Sequence, residues 1–363
     1  MYHVPSVVQL CQLPSLLQEN IVISVTPGIK ILQLIFFLHS GFLQAGEDQD
    51  LFKRWLVLDA VRSGDHIVAA GERGHILLSE DDQTWQIINT QTTATLTSVF
   101  FHDGMLGWAA GHDAVILKTT DGGRHWRQVY QDPDRYAPVL DIWFADKDYG
   151  IAVGAYGLYL MTTDGGETWI KNDLHIVNRD VREAEQDAAG PAPVSRLEAN
   201  VEPYDLHLNS IACSGSGTLY IAAESGHLYR SDDRGRTWQE LPSPYTGSFF
   251  GVLPLEQESV LVFGLRGHLY RSRDGGDSWD NIDTHTNEML TSGIRLHDGS
   301  IVLTGMGGVV LTSQDQGRTF AVRALRYMHG YAAVAESGRG ELIITGDHGI
   351  ETWRRKDIGL AHD

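Results

Sequence analysis

Six aspartates recur in this chain at one fixed place, each two residues after a hydroxyl. Asp81, Asp121, Asp164, Asp233, Asp274 and Asp315 follow Ser79, Thr119, Thr162, Ser231, Ser272 and Ser313. In five of the six a glycine comes two residues later and an aromatic three beyond it: Trp126, Trp169, Trp238, Trp279 and Phe320. An Asp-x-Gly spacing invites comparison with a calcium loop, but calcium needs several oxygens converging from alternate positions. Here each turn offers one carboxylate, with glycine where further ligands would stand. A short carboxylate beside a hydroxyl more often accepts backbone N–H groups within its own turn, so the six aspartates are read as folding devices. His75, His227 and His268 all follow the second glycine of another recurring phrase, which marks them as a habit of the repeat. With no His-x-x-x-His pair on a helix, no metal and no cofactor is expected. Arg73, Arg266, Asp113 and Glu224 could face one mouth, yet acid–base chemistry needs a positioned pair, and no catalytic residue is assigned.

The elements that place these residues are set by the second phrase, which occurs seven times. It reads GERGHILLS from 71, GHDAVILKT from 111, GAYGLYLMT from 154, AESGHLYRS from 223, GLRGHLYRS from 264, GMGGVVLTS from 305 and a shortened GDHGIETW from 346. A period of about 40 residues in a strand-rich chain is the signature of a β-propeller. An apolar stretch precedes each copy, so each blade is predicted to run inner strand, second strand ending at the first glycine, third strand ending at Ser or Thr, aspartate turn, outer strand. The fold class is all-β, a seven-bladed propeller over residues 46–363. Antiparallel order puts the aspartate turns at one end of the ring and the Gly-x-x-Gly tips, with the links between blades, at the other. The tip pairs vary while their flanks repeat. Glu72, Arg73, His112, Asp113, Tyr156, Glu224, Arg266, Met306, Asp347 and His348 are therefore the candidate binding face, as divergent side chains on equivalent scaffold positions are what a partner can read.

Three places depart from the pattern. The first aspartate turn, residues 79–85, lacks the glycine and one residue, so it must be tighter. The seventh copy has no room for an outer strand, and residues 46–54 are expected to pair there and close the ring, which would remove an exposed edge. Residues 172–207 form an insertion, acidic and carrying Gly190-Pro191-Ala192-Pro193, expected on the tip end.

Composition narrows the classes of partner. A net charge of −19 repels phosphate backbones and anionic headgroups, so neither nucleic acid nor lipid surface is expected to bind. Residues 1–45 read as a leader with a signal peptide: Lys30, an apolar run over 31–43, then Ala45-Gly46. A start in the 20s would put that run where a signal belongs. Of two cysteines, Cys11 lies in the leader, so Cys213 is expected to be a free, small buried residue in an exported, monomeric mature chain without membrane insertion.

The Ser/Thr-x-Asp-x-Gly-x-x-Trp turns resemble the Asp-box, or BNR repeat. Together with the seven Gly-x-x-Gly phrases over 54–356 they resemble the photosystem II stability and assembly factor family. That resemblance implies a non-catalytic propeller of the periplasm or thylakoid lumen that assists assembly of a membrane protein complex, with that complex or one of its subunits as partner. It implies no binding residue, because its motifs are structural. Sialidases share the Asp-box propeller, which makes a glycosidase or a carbohydrate-binding propeller the alternative. Such an enzyme would show an early Phe/Tyr-Arg-Ile-Pro motif, and none occurs. A receptor-like propeller gripping a peptide or sugar in its channel differs from the assembly reading only in its partner.

Overall fold

The computed structural model describes residues 54–135, 137–177, 206–324 and 329–360. The expected leader, most of the expected closing segment and the centre of the insertion lie outside them. The described residues form seven antiparallel sheets, six of four strands and one of three, each in sequence order. The first blade runs β1 (Val57–Ser63), β2 (His66–Gly71), β3 (Ile76–Ser79) and β4 (Gln86–Ile88). Its two middle strands are buried almost throughout, which explains why they read as continuous apolar runs instead of alternating: another blade covers each face. All seven second strands end where the phrase begins its tip, and the third strands of the first six blades end at the Ser or Thr before the aspartate.

Among the described residues there are seven hydrophobic cores, each lying between two consecutive blades. Trp126 of the second blade packs on Val68 and Leu78 of the first, and Trp169 of the third joins Trp108 of the second. Trp238 of the fourth is fully buried against Ile151 and Tyr159 of the third. The ring closes in the same way, with Trp85 of the first blade packed on Ala335 and Ile343 of the seventh. Each such ring contributes about 2–3 kcal/mol by leaving water. Trp279 is the least enclosed, and its indole N–H finds the Pro242 carbonyl at 2.8 Å.

The aspartate turns do the local work expected of them. Asp164 Oδ1 accepts the Thr162 hydroxyl at 2.8 Å and the Thr168 amide at 2.9 Å, while Oδ2 accepts the Thr168 hydroxyl at 2.6 Å. Asp233, Asp274 and Asp315 repeat this set. Asp121 keeps the first two bonds and pairs its second oxygen with His125. The first turn is tighter, as its missing residue requires: Asp81 is bonded by the amides of Gln83 and Thr84, one residue early, and Asp82 takes a positive φ of 63°, as Arg234 and Gln316 do at the same place and as glycine does in the other three turns. The turns also dock outward, because the carbonyl after the aspartate accepts a donor from the preceding blade. Trp108 Nε1 donates to Gly165 O at 3.1 Å, Tyr149 Oη to Arg234 O at 2.6 Å and Arg271 Nε to Gln316 O at 3.0 Å.

The seventh blade has three described strands; the segment expected to close it, residues 46–54, lies outside the described residues apart from Arg54, which belongs to no strand. A C-terminal 3-10 turn, Arg355–Ile358, seals the core between the last two blades with Ile358 and Leu360. One expectation needs correction: the insertion does not simply rise from the tip end. Its first residues, 172–177, cross to the fourth blade, where Ile176 bridges Trp238 in parallel, and only 206–207 rejoin the tips. Cys213 is a free thiol, half-buried instead of buried.

The bonds from the Thr168 hydroxyl and amide hold the Asp164 carboxyl down at about 2, below its usual 3.8. A depressed carboxylate stabilises the fold above its unfolded pKa and loses that contribution as pH falls through the folded one. Asp164→Ala should therefore cost about 1 kcal/mol near pH 7, read from urea midpoints, and the gap to the parent should narrow between pH 4 and pH 2. A gap unchanged at pH 2 would contradict the role given to the charge.

Candidate functional site: the tip end and the channel

Seven equivalent backbone bonds build the tip end. The first tip residue of each blade donates its amide to the chain leading into that blade's inner strand: Glu72 to Leu56 O, His112 to Thr95 O, Ala155 to Pro138 O, Glu224 to His207 O, Leu265 to Ser248 O, Met306 to Met289 O and Asp347 to Gly330 O, at 2.8–3.1 Å. In the first six blades the second residue then turns left-handed. Arg73, Asp113, Tyr156, Ser225 and Arg266 have φ between 54° and 57°, a region that costs a non-glycine residue about 1 kcal/mol. The third is glycine in most blades because a Cβ there would collide with a neighbouring carbonyl, at 2.1 Å from Thr92 O for Gly74 and 2.3 Å from Thr286 O for Gly267.

The proposed face divides into two kinds of residue. Glu72, Glu224 and Asp347 are latches: their carboxylates accept the amides of Leu56, His207 and Gly330 at 3.3, 2.9 and 3.0 Å. Arg73, His112, Asp113, Tyr156, Arg266, Met306 and His348 are exposed. Tyr156, 57% exposed, and Met306, 39%, are among the few large apolar side chains left uncovered on the described surface, with Leu56 beside Glu72 a third at this end. The repeat histidines serve their own blades. His75 stacks on Trp55 at 3.8 Å, His227 pairs with Glu240 and His268 lies 4.0 Å from Tyr245.

A second site was missed in the sequence. Every inner strand carries a bulge at the same register, leaving Leu58, Thr97, Leu140, Asn209, Phe250, Thr291 and Ala332 as the extra residues. These residues and those following them line the central channel. The bulges turn polar groups toward the next blade. Thr97 Oγ1 donates to Val139 O at 2.6 Å, Asn209 Nδ2 to Phe249 O at 2.7 Å and Thr291 Oγ1 to Tyr331 O at 2.7 Å. Asp59 accepts Val99 N, and Asp141 accepts both Ser98 Oγ and Ile211 N, at 2.8–3.0 Å. The signal was present as Leu-Asp at 58–59 and 140–141 against Thr-Ser at 97–98 and 291–292, but without a register it reads as scattered polarity in apolar strands.

Two carboxylates in one narrow lumen are the kind of pair acid–base chemistry uses. Crowding by the inner strands pushes the Asp59 carboxyl up to about 7, the amides of Val99 and Ala60 pull it down, and the nearby Asp141 raises it further. Burial raises Asp141 too, against the amide of Ile211 and the hydroxyl of Ser98. Both oxygens of each are already committed to neighbouring donors, which ties them to the ring itself. A third grouping lies at the seventh blade, where His329, Asp347 and His348 place ligand atoms within 4.8 Å of one another. His329 lies outside the repeat phrase, and no periodicity pointed to it.

No family model and no curated protein sequence matches the chain. Solved structures do. One described as YCF48 bound to D1 peptide is 17% identical with a TM-score of 0.62, covering 83% of this chain and 94% of that one. YCF48 from Cyanidioschyzon merolae is 14% identical with a TM-score of 0.62, covering 84% and 97%. A streptogramin B lyase is 12% identical with a TM-score of 0.65, covering 83% and 94%. At these identities the likeness is one of fold.

A carboxyl whose folded pKa is raised favours the native state below its unfolded value of 3.8 and loses that advantage as pH rises through the folded one. Asp59→Asn cannot ionise, so its melting temperature relative to the parent should climb by roughly 2 °C or more between pH 5 and pH 8. A difference that stays flat over that range would refute the raised carboxyl.

Proposed function

We propose that this protein is a non-catalytic, exported binding scaffold that grips a protein segment on its tip end and supports assembly of a membrane protein complex. The observation that carries the proposal is the tip ring: seven equivalent backbone bonds, with one left-handed turn shared by the first six blades, presenting side chains that vary from blade to blade. Such a surface is pre-organised, so a partner does not bear the cost of ordering it. Tyr156 and Met306 supply apolar anchors, while Arg73, Arg266 and Asp113 supply charge around them. The resemblance of the repeat to the assembly-factor family supports this reading, and so does a fold neighbour of that kind holding a D1 peptide. The commitment of Glu72, Glu224 and Asp347 to backbone amides favours binding over acid–base chemistry at these tips.

The test is capture of crosslinked source membranes on the mature chain, followed by mass spectrometry. Enrichment of one integral membrane complex is the expected result. The quadruple variant Tyr156→Ser, Met306→Ser, Arg73→Ala and Arg266→Ala should reduce that capture at least tenfold, a change of about 1.4 kcal/mol, with the melting temperature unchanged. Equal capture by the variant would remove the tips from the interface, and recovery of glycans alone would move the assignment to a carbohydrate-binding propeller.

A further inference from the structure

The seventh blade ends in the tightest tip of the ring, a two-residue hairpin of Asp347 and His348 between Gly346 and Gly349. Beside it stands His329. The two imidazoles are stacked with centroids 3.6 Å apart and planes 6° from parallel. Each is paired with a carboxylate through Nδ1: His329 with Glu351 Oε1 at 3.0 Å, His348 with Asp347 Oδ1 at 2.9 Å. Glu351 is itself held, since its other oxygen accepts the Trp353 indole N–H at 2.9 Å, and Asp347 is held by the Gly330 amide. The hollow beneath is floored by Tyr331 and Thr345, both buried.

The ligand atoms of His329, Asp347 and His348 lie within 4.8 Å of one another, close enough for one ion to reach all three, with the Glu351 carboxylate on the far side of His329. A ring whose Nδ1 donates to a carboxylate carries its lone pair on Nε2, the arrangement that orients histidine ligands in metal sites. We propose that this cluster binds one divalent first-row transition ion, with His329, His348 and Asp347 as ligands and Glu351 orienting His329. Two imidazoles and one carboxylate suit zinc, nickel or copper and disfavour calcium or magnesium, which need an all-oxygen shell. Imidazole binds a metal in its ring plane, so the stack opens on binding. His348, on an exposed hairpin with 56% of its side chain in solvent, is the ring free to turn. Three protein ligands leave a position open to solvent on the tip end, where water or a partner's side chain completes the shell.

The experiment is calorimetric titration of the full chain, its affinity tag removed and stripped with chelator, using zinc sulfate alone. One tight zinc per chain is expected, with no comparable heat from calcium chloride, and affinity falling as pH drops through the imidazole range because protons compete for the ligands. His348→Ala should weaken that binding at least tenfold while melting like the parent, and Glu351→Gln should weaken it about tenfold as an orienting change. His125→Ala, which removes an isolated histidine–aspartate pair elsewhere, should leave it intact. Copper(II) electron paramagnetic resonance should report two nitrogen ligands in the parent and fewer in His348→Ala. Parent-like zinc affinity in His348→Ala, or an equal loss in His125→Ala, would overturn the site.

Discussion

Each blade of this protein is apolar on both faces, and no blade can bury both by itself. Every core therefore lies between blades, and the stability of any one sheet belongs to its neighbours. This constraint accounts for the continuous apolar middle strands, for the aromatic rings such as Trp126, Trp169, Trp238 and Phe320 leaning from the aspartate turns onto the preceding blade, and for the closure of a ring whose last blade has only three described strands. It also explains why the aspartate turns carry two sets of bonds. Inward bonds to serine and threonine set the loop, and outward carbonyls receive Trp108, Tyr149 and Arg271 from the blade before. Loop and joint are one device.

Because backbone bonds hold every tip, side chains at the second position are released from structural duty. A left-handed residue such as Arg73 or Tyr156 projects from a turn whose shape does not depend on it. The first position behaves differently. There, Glu72, Glu224 and Asp347 reach back to cap an amide of their own blade, and variation at that position is partly the choice between a carboxylate latch and none. Divergence in sequence thus mixes two causes, which only the geometry separates.

The blade count, the ends of the second and third strands and the aspartate turns were legible because each rests on local chemistry repeated at a fixed period. The Asp121 turn requires only residues within four positions of itself. The channel was not legible. Asp59 and Val99 are neighbours only after two blades have been set side by side and both inner strands bulged, and a bulge has no short sequence mark. His329 escaped for a related reason: it stands before an inner strand, and its partners His348 and Glu351 follow 19 and 22 residues later in a hairpin.

The inner bonds are unevenly distributed around the ring. Polar side chains join blades one to two, two to three, three to four, four to five and six to seven. Among the described residues, the inner strands between blades five and six have no such bond; there Phe263 fills the lumen between Gly251 and Gly293. Between seven and one, Ala332 and Ala333 offer no donor. The joint between blades five and six is instead held away from the lumen, where Arg271 donates to Gln316 O and Arg295 pairs with Glu256. The seam between the last blade and the first rests on the apolar packing of Trp85 against Ala335 and Ile343, so the polar pinning of this ring changes place from joint to joint while the greasy filling is common to all seven.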